Sequence, residues 1–275
     1  MTLEYGQDLS REVLAESLLY QEQDVWRSIL GKPIEIKPLP AYITTSMQKK
    51  LEDQRLMLQY IPALDLGTRQ EIIQKGTDEY RKDLELKYPG WRKDVAFEGK
   101  DRLNVKYTRN LDVDFWKKVQ RSQINFPELP GQWVAVGVDP LDHYDTFVPG
   151  RWIIGTTKNP YASQIGLADD CPHSPEAIIA AIEQNGTGLL ASVGLSEADA
   201  QVRLLEALEV NLLGNRHGWG KMNASELTNT VDRSKPSSHV AVGNCIYFGM
   251  ATAVSMPDKE AGRFNVFRPA IVFNP

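Results

Sequence analysis

Apolar residues recur at helical spacing in the first third of the chain, and in short β-like runs later. Between residues 10 and 30 they fall on roughly one helix face: Val13, Leu14, Leu18, Val25, Ile29 and Leu30. Gly31-Lys-Pro then ends this predicted helix. Further helices are predicted at 45–58, 68–88 and 112–122. Any of three hydroxyl residues can cap the helix at 45–58: Thr44, Thr45 or Ser46.

The patterning changes at the segment Asn125-Phe-Pro-Glu-Leu-Pro-Gly, whose prolines and glycine break regular structure. Glycine, valine, isoleucine and threonine become more frequent after it, and charge falls. We therefore predict a boundary near residue 125. It would separate a mainly helical N-terminal region, 1–124, from a second region, 125–275.

The second region mixes predicted strands with two predicted helices. Apolar and β-branched runs predict strands at 132–138, 151–156, 239–242, 245–248, 251–254 and 270–273. Ser174, followed by proline, begins a helix that is predicted to stop at Asn185-Gly186. Ser196 and Asp199 form a capping-box pattern that predicts a second helix, running to Leu213. The predicted fold class is α+β.

Composition narrows the classes of function. The 275 residues include 42% hydrophobic and 24% charged residues, which suits a globular protein. A net charge of −5 argues against a general nucleic-acid binder, because such a protein needs a basic surface. Two cysteines, a polar acidic start, and the lack of an apolar run of roughly 20 residues predict a cytoplasmic protein without a membrane span.

The densest polar cluster lies between the first two strands of the second region. It contains Asp139, Asp142, His143 and Asp145. Three carboxylates in seven residues can hold a hard cation such as Ca²⁺. The spacing lacks the glycine of a calcium loop, and aspartates also cap turns, so we favour a polar loop.

A second candidate places a thiol near an imidazole, at Cys171 and His173. Cysteine nucleophiles need a base within hydrogen-bond reach, but Pro172 between the two favours a tight loop. The other soft metal ligands are far away in the sequence: His217, His239 and Cys245. The chain has no glycine-rich phosphate-binding motif. We therefore predict no catalytic residue, no metal and no cofactor.

Three segments resemble a known family. They are 202–220, with Arg203-Leu-Leu-Glu-Ala-Leu-Glu; 226–230, with Glu-Leu-Thr-Asn-Thr; and 264–273, with Phe267-Arg268. In order and content they resemble the formylglycine-generating-enzyme superfamily. There an Arg-Leu-Pro-Thr-Glu-Ala-Glu-Trp helix precedes Trp-Glu-Trp-Thr, and the chain closes on Gly-Phe-Arg. The variable proteins of diversity-generating retroelements share that closing motif and the superfamily's C-type-lectin-like fold.

The resemblance implies a loop-rich C-type-lectin-like α+β domain at 125–275, closed by a last strand that carries Arg268. Four positions differ from the family pattern: Leu205, Val210, Leu227 and Val266. The oxidase branch of the family holds copper with two C-terminal cysteines, whereas this region has only Cys245. The three histidines of the iron-binding branch have no counterpart here. The resemblance thus implies a scaffold rather than an activity.

On that scaffold, the loops before the last strand are the predicted recognition surface, roughly 244–265. Five of their residues are predicted to contact ligand: Tyr247, Phe248, Met250, Arg263 and Asn265. An apolar centre with a charged rim suits a protein-binding patch. In the alternative interpretation the aromatic residues and the methionine pack into the core.

We therefore predict a non-catalytic module that binds a protein or a small-molecule ligand. Two other functions remain open at this point. One is a divergent metal-dependent, oxidase-like enzyme of the same superfamily, and the other is an assembly protein of a mobile element with its N-terminal helices as the interaction surface.

Overall fold

The computed structural model describes twelve stretches of the chain, and structural statements below concern these alone. They are residues 4–30, 32–63, 121–124, 129–139, 145–148, 151–154, 159–169, 173–217, 225–233, 238–244, 251–255 and 265–275. The helices are α1 (Glu4–Leu30), α2 (Thr45–Asp53), α3 (Pro175–Val193) and α4 (Ala207–His217), with a 3₁₀ turn at Ser163–Ile165. The strands are β1 (Leu56–Ile61), β2 (Gln132–Gly137), β3 (Asp145–Val148), β4 (Arg151–Ile154), β5 (Ala200–Leu204), β6 (Ser225–Asp232), β7 (Ser238–Asn244), β8 (Ala251–Ser255), β9 (Asn265–Val266) and β10 (Pro269–Phe273).

The first sheet has the order β1-β2-β10-β5, and all its neighbours are antiparallel. The last strand of the chain, β10, therefore lies inside the sheet. Its run Ala270–Val272 pairs with Val134–Val136 of β2, and these residues are all buried. Burial on both faces explains why both strands are continuous apolar runs rather than alternating ones.

A second sheet has the order β8-β7-β6-β9, in which β6 and β9 are parallel, and β3 pairs with β4 in a separate hairpin. Helix α4 contacts both sheets. It packs against β6, β7 and β8, and its Glu209 accepts hydrogen bonds from Gln132 and Arg203 of the first sheet. The other face of the first sheet carries α3, whose Gly186 lies against Val202. The mixed α+β class is therefore confirmed.

One sheet draws on both sides of the predicted boundary near residue 125. Strand β1 precedes the boundary and β2 follows it, and they pair over six positions, from Leu56–Gly137 to Ile61–Gln132. Side chains of α1 and α2 belong to the same apolar core as those of β2 and β10. None of the described helices is long and apolar enough to cross a membrane.

Several predicted elements agree with the structure. The helix after residue 10 is α1, and the hydroxyls of Thr44 and Ser174 cap α2 and α3 as expected. Strands lie at five of the predicted positions: 132–138, 151–156, 239–242, 251–254 and 270–273. The side chains of Trp133 and Phe273, within two of these strands, are buried. The helix predicted at 68–88, nearly all of the one at 112–122, and the strand at 245–248 lie outside the described residues.

The helix predicted at 45–58 is too long. Helix α2 stops at Asp53, and Arg55 adopts a left-handed backbone with φ of 59°, which reverses the chain direction. Leu56–Ile61 then forms a strand. Because β2 offers it a full register of partners, tertiary pairing overrides a local pattern that fits either structure.

The helix predicted to end at Asn185-Gly186 continues to Val193. A β-carbon at Gly186 would lie 3.1 Å from Val202 Cβ, so glycine here lets the helix approach β5. The helix ends at Gly194, which has φ of 86°.

The helix predicted from Ser196 is also wrong in its first half. Asp199 Oδ2 accepts hydrogen bonds from the Ser196 amide at 2.9 Å and the Ser196 hydroxyl at 2.6 Å. These bonds close a turn, after which the chain forms β5 and reaches α4 only at Ala207. A capping-box pattern is local, and here it stabilises a turn before a strand.

Candidate functional site

Three chain connections meet at one end of the second sheet, which we call the loop-bearing end. Ser225 begins β6 and pairs with Gly243 on one side and Asn265 on the other. Asn244 pairs with Ala251. The segment 218–224 therefore leads into β6 at this end. The segment 245–250 connects β7 to β8 here, and 256–264 leads into β9 here.

The predicted ligand-binding residues lie on two of these connections or directly after one. Asn265 is the first residue of β9, at the loop-bearing end. The other four lie outside the described residues: Tyr247, Phe248, Met250 and Arg263. The structure thus attaches the segments that carry or precede these residues to the second sheet at its loop-bearing end.

A buried ion pair joins this end of the second sheet to the first sheet. Arg268 Nε donates to Glu226 Oε2 at 3.0 Å, and the two side chains are 0% and 1% exposed. Arg268 Nη1 also donates to the carbonyl oxygens of Gly137, at 2.9 Å, and Asp139, at 2.6 Å. Burial raises the pKa of Glu226, and the charge of Arg268 opposes that rise. Arg268 directly precedes the closing strand β10, and its side chain is fully buried in these contacts.

Tyr161 packs against this pair. The Arg268 guanidinium lies 5.6 Å from the centre of the Tyr161 ring, within cation–π range. The Tyr161 hydroxyl accepts from the Asp139 amide at 3.1 Å, and burial raises the pKa of Tyr161. A β-carbon at Gly137 would lie only 2.0 Å from the ring, so the tyrosine requires glycine on β2.

A neutral imidazole lies at the end of α4. His217 Nε2 is 2.6 Å from Oε1 of Gln59, a fully buried side chain on β1. Burial, and then the charges of Arg216 and Arg268, lower the pKa of His217 to about 4. At neutral pH the ring is therefore uncharged. The Gln59 side-chain nitrogen is buried and finds no hydrogen-bond partner among the described residues.

The titration of His217 gives a direct test. We expect its imidazole to titrate near pH 4 in the folded protein, as measured by NMR. Because an unfolded histidine takes up its proton near pH 6.5, the free energy of unfolding should fall as pH drops from about 6.5 to about 4. His217→Gln should lack that part of the pH dependence. A folded pKa at or above 6.5 would contradict the buried, neutral assignment.

A second buried ion pair ties α1 to the end of α4. Arg216 donates to both oxygens of Glu22, at 2.5 and 2.7 Å, and their side chains are 7% and 1% exposed. Trp26 Nε1 donates to Glu22 Oε2 at 3.1 Å and to the Tyr60 carbonyl oxygen at 2.8 Å. Arg216 thus faces an acid and an indole from the N-terminal helix.

A third pair fixes the start of α4. Arg203 donates to both oxygens of the buried Glu209, at 2.7 and 2.9 Å. Gln132 Nε2 donates to Glu209 Oε1 at 2.8 Å, and the Glu206 amide donates to Glu209 Oε2 at 2.7 Å. Both ends of α4 are therefore held by charged contacts, which makes the helix a fixed support against the second sheet.

The two other sequence candidates are not assembled into sites by the described residues. The Asp139 carboxylate pairs with Arg55 at 3.1 Å, whereas Asp142, His143 and the Asp145 side chain lie outside the description. Cys171 lies outside it too. His173 Nε2 is 2.8 Å from the Ala168 carbonyl oxygen, and its ring packs on Phe267. Across the described ranges, no three His, Cys, Asp or Glu side chains are grouped to hold a metal ion.

Sequence reasoning missed the Gln59–His217 contact and the pairing of Glu22 with Arg216. One feature pointed to the first: Gln59 is the lone polar residue in the strand Leu-Met-Leu-Gln-Tyr-Ile, and a buried amide needs a polar partner. Nothing local pointed to the second, because its partners are 194 residues apart. Comparison of the chain with protein-family models, curated proteins and solved structures gave no match.

Proposed function

We propose that the protein is a non-catalytic binding module whose ligand-contacting residues lie on the connections at the loop-bearing end. The observation that carries the proposal is the convergence of three such connections at Ser225, Asn244–Ala251 and Asn265. Variable loops on a rigid frame are where binding residues concentrate. The frame is rigid here because Arg268 and Glu226 join the two sheets directly beneath.

A C-type-lectin-like fold is part of the proposal. Support comes from the three segments that carry the family resemblance. Glu226 of the second segment pairs with Arg268 of the third, and Arg203 pairs with Glu209 within the first. Charged residues of the resembling motifs thus contact one another, as expected if the motifs specify one scaffold.

The arrangement of charge favours binding over chemistry. Among the described residues, the three buried acids each face an arginine: Glu22, Glu209 and Glu226. A carboxylate held in this way is part of a structural ion pair, and removing either partner is strongly destabilising. The ligand would be a protein or a small molecule, because the acidic chain disfavours nucleic acid. A chain with only two cysteines has no disulfide framework, which favours the cytoplasm as its location.

The proposal predicts that binding depends on the connections. Labelled protein is applied to arrays of immobilised proteins, peptides and small molecules, and hits are titrated with a triple variant, Tyr247→Ala with Phe248→Ala and Arg263→Ala. We expect affinity to fall by about tenfold or more, because aromatic and arginine side chains dominate binding energies. Met57→Ala is the matched control, since Met57 is 44% exposed on β1, at the edge of the other sheet.

Ligands whose affinity is unchanged by the triple variant but lowered by Met57→Ala would contradict the proposal. So would stoichiometric copper or iron in the purified protein that is lost in Cys245→Ser. That result would identify the divergent enzyme instead.

A further inference from the structure

Strand β5 lies at an edge of the first sheet, and the described strands leave its outer side unpaired. The hydrogen bond just before the strand shows which β5 residues turn their backbone groups towards β10. There the Asn274 amide donates to the carbonyl oxygen of Asp199, the residue opposite it, at 2.8 Å. Antiparallel hydrogen-bonded pairs alternate along a strand. Gln201 and Arg203 therefore turn their backbone groups towards β10, and Val202 turns its amide and carbonyl outward.

This edge lacks the devices that usually protect one. Exposed sheet edges are commonly blocked by proline, a bulge or an exposed lysine. The register of β5 with β10 is continuous, and the strand contains no proline or lysine. Its one charged side chain, Arg203, is only 18% exposed; it is held by Glu209 and donates to the Leu204 carbonyl oxygen at 2.9 Å, which leaves the backbone of Val202 as the place for a partner strand. Among the described residues, none pairs with the outward amide and carbonyl of Val202, although β6 reaches the residue after the strand, where the Asn229 amide donates to the Leu205 carbonyl oxygen at 2.9 Å.

A groove of about 230 Å³ runs between α3 and this strand. Its apolar part is formed by Ile182, Gly186, Leu190 and Val202, and two acids, Glu183 and Glu197, line it as well. An extended chain that paired with β5 would place alternate side chains over this groove.

The segment that forms α3 and the turn before β5 is acidic. Residues 173–201 contain four acidic side chains, Glu176, Glu183, Glu197 and Asp199, and no lysine or arginine. A second copy of the chain would bring the same acids together across a symmetric contact, and like charges oppose that association. A cationic partner is favoured instead.

We propose that the groove between α3 and β5 binds an extended peptide segment of a partner protein. The segment pairs with the backbone of Val202 and places a lysine or arginine beside Glu183 and Glu197. The groove shares no residue with the loop-bearing end, so this interaction is independent of the function proposed above.

Two hexapeptide probes test the proposal with the full chain. One is acetyl-Thr-Val-Lys-Val-Thr-Val-amide, and the other has glutamate in place of lysine. In NMR titrations we expect the lysine peptide to shift the backbone amide resonances of Val202 and Gly186. The glutamate peptide should bind about tenfold more weakly, because an attraction becomes a repulsion.

Three variants separate charge from backbone pairing. Glu183→Gln with Glu197→Gln should weaken the lysine peptide about threefold to tenfold, as expected for exposed ion pairs. Glu176→Gln makes the same change on the same helix outside the groove and should have no effect. Val202→Pro should abolish binding, because it removes the outward amide that pairs with the peptide. The fold should be kept, because an edge strand tolerates proline where the lost amide faces outward. Its circular dichroism and Tm report whether the fold is kept.

Three results would overturn the proposal. One is a lysine peptide that leaves Val202 unshifted at millimolar concentration. Another is equal binding by wild type and by the double glutamine variant. The third is a concentration-dependent dimer that protects the Val202 amide from exchange without peptide, since the occupant would then be a second copy.

Discussion

Arg268→Met is expected to lower the free energy of unfolding by about 3–5 kcal/mol, because it leaves a buried carboxyl without its partner. Glu226 is 1% exposed and pairs with this guanidinium, which also serves the carbonyl oxygens of Gly137 and Asp139. Methionine fills much of the volume but donates no hydrogen bond. Urea denaturation of the variant and wild type measures the difference.

The loss should depend on pH. Burial already raises the pKa of Glu226, and removing the cation raises it further. A group with a raised folded pKa contributes stability that is present below its unfolded pKa and lost as pH rises. The variant should therefore be more damaged at pH 8 than at pH 5. Adding Glu226→Gln should recover part of the loss at pH 8.

Arg55→Met is the matched control. Arg55 also pairs with an acid, Asp139, but the two side chains are 61% and 46% exposed. Exposed pairs contribute about 0–1 kcal/mol. If Arg268→Met cost no more than Arg55→Met, the pair beneath the loop-bearing end would not hold the two sheets together.

Glu22→Leu is expected to lower the free energy of unfolding by about 3 kcal/mol and to weaken the attachment of α1. The substitution removes both acceptors of Arg216, whose side chain is 7% exposed, and one acceptor of the Trp26 indole. An unpaired charge then stays buried. Denaturant unfolding measures the stability, and faster proteolytic cleavage within Glu4–Leu30 would report the loosened helix.

Asp24→Leu makes a comparable change two residues further along the same helix. Asp24 pairs with Arg27 at 3.6 Å, but both side chains are more than half exposed. It should alter stability by less than about 0.5 kcal/mol. Equal effects of Glu22→Leu and Asp24→Leu would show that the contact with Arg216 does not anchor α1.

The candidate site was predictable only in part. The family resemblance placed Tyr247, Phe248, Met250, Arg263 and Asn265 on loops before the last strand. It did not predict which connections meet. That depends on the parallel pairing of Ser225 with Asn265 and the antiparallel pairing of Asn244 with Ala251, which no local pattern encodes.

Local chemistry by itself determined the α+β class, the caps at Thr44 and Ser174, and the apolar strands at 132–137 and 269–273. Each depends on side chains a few residues apart, whose preferences are already present in the unfolded chain. Only the tertiary structure decided that Leu56–Ile61 is a strand and that Gly186 lies inside a helix. It also decided that Glu22, Glu209 and Glu226 are buried. These outcomes depend on partners far along the chain, where pairing and burial outweigh local propensity.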